Sequence, residues 1–191
     1  MGSRGQTAIA AIGAFLAAML ALGAVLIVTG AYNFAADAPH TALVRGLIGY
    51  ARERSIAVRA RDIAVPPLDD TKMIADGASD YDAMCTGCHL APGMAENEMR
   101  PGLNPKPPVL AQAGPGRAAT QFWIIKHGIK MTAMPAWGFT HSDTEIWNMV
   151  AFLQKLPALS PAQYRALVAQ SGDHHAHEDR GAAPMDMGHM H

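Results

Sequence analysis

Hydrophobic positions along the chain fall into three regimes. From Gly5 to Ala36 no residue is charged, with Arg4 before the run and Asp37 closing it. About 20 apolar residues span a bilayer, so Ile9, Ile12, Phe15, Leu16, Met19, Leu20, Leu22, Val25, Leu26, Ile27 and Val28 read as the lipid-facing bulk of a transmembrane helix within residues 1–36. Tyr32 and Phe34 fall where an interfacial aromatic belt would lie. A cleaved signal peptide is the alternative, since Ala36-Asp37-Ala38 has the small-residue spacing of a cleavage site. Signal-peptide apolar regions are usually about 7–15 residues long, however, and this run is longer.

Residues 37–70 form a connector. Leu43, Val44, Leu47 and Ile48 recur at helical spacing and arginines follow, which fits a short amphipathic helix on a membrane surface. A solvated linker fits the pattern equally well. Val65-Pro66-Pro67 closes the segment.

Residues 71–170 carry helical periodicity and no convincing strand pattern. Asp69 or Asp70 is placed to cap a helix running to about Gly87, with Ile74, Gly77, Tyr81 and Met84 on one face. Residues 90–116 are rich in Pro and Gly and read as loop. A second helix fits Arg117–His127, with Gly128 as its stop. After a loop over 129–141 comes the clearest helix, Ser142–Leu156. Ser142 and Glu145 make a capping box, Ile146, Met149, Val150, Leu153 and Leu156 make the apolar stripe, and Pro157 ends it. Ser160-Pro161-Ala162-Gln163 opens one more short helix.

Composition narrows the function classes. The 191 residues carry a net charge of −1, which gives no support to nucleic-acid binding. Two Cys exclude a disulfide-rich scaffold. Those two lie in Cys85-Thr86-Gly87-Cys88-His89. The spacing lets each thiol add to a vinyl group of one haem and puts His89 in position to ligate the iron; it is the pattern of c-type haem attachment. A zinc site would need a second ligand pair, and no further Cys exists. A redox dithiol would want a βαβ setting, and the surroundings are helical.

Covalent haem attachment by the bacterial route takes place outside the cytoplasm. This places residues 85–89 in the periplasm, on a single-pass chain held in the inner membrane. The arginine count points the other way, with Arg4 before the apolar run and Arg45, Arg52 and Arg54 after it. The cysteine chemistry outweighs it.

A second axial ligand must come from a loop across the ring. Met134, followed by Pro135, is the favoured candidate, and Met131 is its rival. Ligation by His127 or His141 stays open, as does a five-coordinate iron. A Met thioether paired with His raises the reduction potential.

At these residues the chain resembles the class I monohaem cytochromes c, especially the membrane-anchored bacterial ones, over about Thr71–Leu156. The resemblance implies a helical domain around one covalent haem; with the apolar run read as an N-terminal transmembrane helix and residues 171–191, which lack apolar periodicity, read as a disordered tail, the expected fold is all-α. The resemblance also implies that Gly77 and Tyr81 cross a helix carrying Phe152. Thr132-Ala133-Met134-Pro135-Ala136-Trp137-Gly138 is similar to the family's axial Met stretch, with Ala133 where Gly is common. The segment Pro105-Lys106-Pro107-Pro108 resembles the loop whose carbonyl accepts from the axial His, with the Pro107 carbonyl as the expected acceptor. Trp123 and Trp137 either line the haem pocket or pack as core.

Such a protein is an electron carrier rather than an enzyme. Its expected partners are a quinol-oxidising complex, a dehydrogenase or a terminal oxidase, and the membrane through its N-terminal helix. A haem enzyme would need a vacant iron position.

The C-terminal residues raise a separate chemistry. His174, His175, His177, Met185, Met187, His189, Met190 and His191 combine imidazole and thioether in a segment without apolar periodicity. That ligand set suits copper, Cu(I) above all. A copper-handling protein, with the haem serving the copper's redox chemistry, is the alternative function. A polar solubilising tail is the plainer one.

Overall fold

The structure is a computed structural model that describes residues 3–178. Among the described residues it contains seven α-helices and no strand. Two compact units divide at Pro39–His40.

The first unit is dominated by α1 (Ser3–Val28). At 1.5 Å per residue its 26 residues are about 39 Å long, more than the roughly 30 Å of a bilayer's hydrocarbon core. The stretch Gly5–Val28 is long and apolar enough to cross a membrane, and none of it is buried in the protein. The Tyr32 and Phe34 rings meet edge-on at 4.9 Å just beyond it.

The second unit opens with α2 (Ala42–Ala60), where the sequence suggested at most a short helix. Thr41 caps it by accepting from the Val44 N–H. The helix is long because its second half is packed: Ile56 and Ala60 are buried, and α2 lies against α5 (Ala118–His127).

Three helices build the core. In α3 (Thr71–Met84), the Asp70 carboxylate accepts from the Lys72 and Met73 N–H groups. The helix stops short of the expected Gly87. Cys85 separates it from a single turn, α4 (Thr86–His89), and the Thr86 hydroxyl donates back to the Asp82 carbonyl. In α6 (Asp143–Lys155) the Ser142–Glu145 capping box is complete. Ile146, Met149, Val150, Leu153 and Leu156 are all buried, as the stripe requires. Buried Phe122 and Ile125 of α5 complete the core with Ile74, Ala78 and Tyr81 of α3. The Tyr81 and Phe152 rings lie 5.2 Å apart, and Phe122 stacks on Trp147 at 4.2 Å.

The last helix, α7 (Pro161–Glu178), is longer than the short one the sequence suggested. It packs on α3, and buried Tyr164 donates from its hydroxyl to Asp82 Oδ1 at 2.6 Å. The backbone at His174, His175 and His177 therefore continues α7, while their side chains, and all of Met185, Met187, His189, Met190 and His191, lie outside the described residues.

Candidate functional site

The site begins at the turn after α3. The Cys88 and His89 N–H groups both donate to the Cys85 carbonyl, at 3.1 and 2.8 Å, so the two thiols and the imidazole leave one tight turn. Tyr81 holds the turn's exit: its buried hydroxyl donates to the Leu90 carbonyl at 2.6 Å. Burial raises the Tyr81 hydroxyl above its usual pKa, which keeps it a donor. Both cysteines are free and half-buried. Burial, then the Asp80 carboxylate and Cys88, pushes the Cys85 thiol up to about 12.

His89 is oriented from behind. Its Nδ1 lies 2.9 Å from the Pro108 carbonyl, a pure acceptor, so Nδ1 carries the proton and Nε2 is the free ligating atom. Burial holds the imidazole below its ordinary pKa, although the Pro108 bond acts in the opposite sense; Arg100 adds to the lowering. The neutral ring is the form that binds metal. The acceptor is Pro108, not the expected Pro107. The Pro107 carbonyl is already taken: it accepts from Arg100 Nη2 at 2.5 Å.

Nothing in the local sequence singles out Arg100, yet it ties the site together. Among the described residues it is the buried charged side chain of the domain, 5% exposed. Its guanidinium donates to the Cys88 carbonyl (2.9 Å), Glu96 Oε1 (2.7 Å) and the Pro107 carbonyl. Beside it, Asn97 accepts from the Arg100 N–H and donates to the Gly87 carbonyl at 2.6 Å. The backbone at 88 and 107 is thus bound through one side chain, which fixes the neighbouring carbonyl that orients His89. Only a side chain with a planar fork of donors does this.

On the loop after α5, Met134 is half-buried and packs against the core, whereas Met131 is 81% exposed. The Met134 carbonyl accepts from the Ile129 N–H at 3.1 Å, and its own N–H donates to the Thr132 hydroxyl at 3.1 Å. Gly128 stops α5 at φ +65°. A Cβ there would meet Pro135 C at 2.7 Å and the Met134 carbonyl oxygen at 2.8 Å, so the helix end abuts the Met134–Ala136 backbone. His127 is exposed beside Trp123, ring to ring at 5.0 Å. His141 has its Nδ1 engaged with the Thr140 hydroxyl at 2.9 Å. Trp137 is half-buried against the core and stands edge-on to His141.

Residues 72–153 match the family model described as "Cytochrome C oxidase, cbb3-type, subunit III". They are a cytochrome c domain. The match covers less than half of the chain and leaves α1, α2 and all of α7 outside it. No curated protein and no solved structure matches the chain.

A cytochrome c domain implies a covalent c-type haem and haem-based electron transfer. The donor set suits that group: two free thiols and a tautomer-fixed imidazole leave one turn, and a half-buried thioether lies on a separate loop. Among the described residues no cluster of three or more His, Cys, Asp or Glu is placed to hold a metal ion, so there the thiols lack the second ligand pair of a zinc site.

Proposed function

We propose that this chain is a membrane-tethered electron carrier whose single haem is held by thioether bonds from Cys85 and Cys88, with the iron between His89 and Met134. The observation that carries the reading is the His89 Nδ1–Pro108 bond, which leaves Nε2 free in a ring oriented by the same turn that presents both thiols. When bound, the haem supplies a one-electron couple. The protein's part is to hold it. Cys85 and Cys88 tether the ring, Pro108 fixes the imidazole plane and raises its basicity, and Met134 contributes a neutral sulfur that favours the reduced iron. Were His89 and Met134 both to hold the iron, no position would be left there for substrate, and the chain would relay electrons rather than transform a molecule.

Three features support this setting. The family model names an oxidase subunit, which favours a terminal oxidase over a quinol-oxidising complex or a dehydrogenase as partner. α1 tethers the domain to the inner membrane, which raises its effective concentration near membrane-bound partners. Haem attachment outside the cytoplasm puts the domain in the periplasm.

Intact mass tests the attachment and the anchor together. The mature protein should retain α1 and carry one haem, which Cys85→Ala or Cys88→Ala should lose in part or whole. A mature chain beginning near Asp37 or Thr41 would overturn the tether. Carbon monoxide binding to the reduced protein at neutral pH would overturn the closed iron.

Copper handling by the C-terminal residues is a second reading, supported by their imidazole and thioether content alone. Titration with Cu(I) of the full chain and of a chain ending at Gly172 decides it. Equal stoichiometry removes the tail from copper chemistry.

A further inference from the structure

α2 has two apolar sides, and the domain uses one. Ile56 and Ala60 are buried on the side packed against α5. On the opposite side, Leu43, Leu47, Tyr50, Arg54 and Val58 recur at spacings of three and four, one continuous helical face. Leu43 is 72% exposed, Leu47 61% and Tyr50 67%. Leu43, Leu47 and Tyr50 fill the first half of this face, and Arg54 and then Val58 follow. The helix carries Arg45, Arg52, Arg54 and Arg59 against the single acid Glu53. Within the second unit nothing covers the face.

We infer that this face of α2 lies on the anionic surface of the bilayer that α1 enters, and so holds the cytochrome c domain in a fixed pose on the membrane. The inference rests on the proposed retention of α1. Two observations select lipid as the occupant. Only residues 29–41 separate the end of α1 from the start of α2, a reach of about 45 Å at full extension, so α2 cannot leave the neighbourhood of the membrane. The face also carries what an interfacial helix needs: aliphatic side chains to enter the acyl boundary, a tyrosine whose polar tip stays wet, and Arg54 to pair with an anionic headgroup, while Arg45, Arg52 and Arg59 lie on the other side of the helix.

The consequence reaches the haem site. Because α2 is seated on α5, and α5 ends at Gly128 against the Met134 loop, a membrane-bound α2 restrains the domain that the tether alone would leave to tumble. The domain then meets a membrane-embedded partner with its orientation already set, which lowers the ordering cost of each encounter.

The full-length holoprotein in lipid nanodiscs tests this. With both native cysteines in thioether linkage, Leu47→Cys supplies the reactive thiol for a nitroxide label, and Ala113→Cys on an exposed loop gives the reference. In discs rich in phosphatidylglycerol, the label at 47 should be more accessible to oxygen than to a water-soluble nickel chelate, and the label at 113 the reverse. Arg54→Gln should reduce the lipid-exposed population at 47 by about fivefold, the weight of one arginine at an anionic surface. If the chain enters the disc and both labels are equally open to nickel, the inference is wrong and the tether stands. If the label at 47 is shielded only when an oxidase is added, the face belongs to a protein partner and the inference is again wrong. Failure of the chain to enter the disc overturns the tether and this inference with it.

Discussion

Gly77 and Asn148 meet backbone to backbone where α3 crosses α6. A Cβ at Gly77 would fall on the Asn148 carbonyl and within 2.8 Å of the Met149 N atom. Neither is a flexible side chain, so neither can move aside without moving a helix. Even Gly77→Ala should therefore destabilise the domain, by roughly 1–3 kcal/mol, with Gly77→Val worse. Gly46→Ala is the control: a Cβ there meets nothing within 4 Å, so the helix propensity of Ala should stabilise by about 0.5–1 kcal/mol. Thermal unfolding and haem yield read both. A Gly77→Ala protein as stable as the parent would show that the helices have room to spare.

How much of this was legible in the sequence follows the range of the interaction. The Ser142–Glu145 box, the Asp70 cap and the stripe of α6 are local, and each is found where its spacing put it. The Cys85-Thr86-Gly87-Cys88-His89 motif was legible because its spacing is local, whereas the break at Cys85 was not, since the helix was expected to run on to about Gly87. Resemblance supplied the crossing at Gly77. The length of α2 was hidden because it comes from burial of Ile56 and Ala60 against a helix nearly sixty residues on. Arg100 was invisible for the same reason, since its partners at 88 and 107 are brought together only by the folded loop. The Pro107–Pro108 exchange is a register detail that no composition rule resolves.

Arg100 is expected to act on the iron through His89 as a positioning residue. Arg100→Met leaves the half-buried Cys88 and Pro107 carbonyls without their donor, at a cost of about 1 kcal/mol for each lost bond. It should also release the Pro108 carbonyl that aligns the imidazole. The haem-methyl proton shifts and the reduction potential should therefore move, and Arg100→Lys, which keeps charge but not the fork, should recover only part. A fall in stability with unchanged shifts and potential would reduce Arg100 to a structural role.

Glu96 gives this clamp a pH dependence of known sign. Its hydrogen bond to Lys106, more than the one to Arg100, holds its carboxyl below the ordinary glutamate range, although desolvation opposes the shift. A carboxyl depressed on folding stabilises the protein above its unfolded pKa of about 4.3, and that contribution is lost as pH falls through the folded value. The parent should be more stable than Glu96→Gln at neutral pH, and the difference should vanish in acid. A difference that persists at low pH would mean that the charge is not responsible.

Gly128 should control the Met134 side of the site as Arg100 controls the His89 side. Gly128→Ala places a Cβ against Pro135 and the Met134 carbonyl and forces alanine into a backbone of φ +65° and ψ −170° that is essentially confined to glycine, at a cost of about 1–3 kcal/mol. The loop must shift, so cyanide should bind the oxidised protein more readily than it binds the parent. Equal cyanide affinity would show that the loop is not held through Gly128.

The proposed pairing of His89 with Met134 at the iron is the point on which the reading of the chain as a carrier turns. Met134 packs half-buried against the core on a loop pinned by Thr132 and Ile129, while Met131 stands 81% exposed three residues earlier. The far-red charge-transfer absorbance of the oxidised protein, which reports a methionine–iron bond, should disappear in Met134→Ala, with a lowered reduction potential, and should survive in Met131→Ala. Loss of the band in the Met131 variant, or its survival in the Met134 variant, would contradict the assignment.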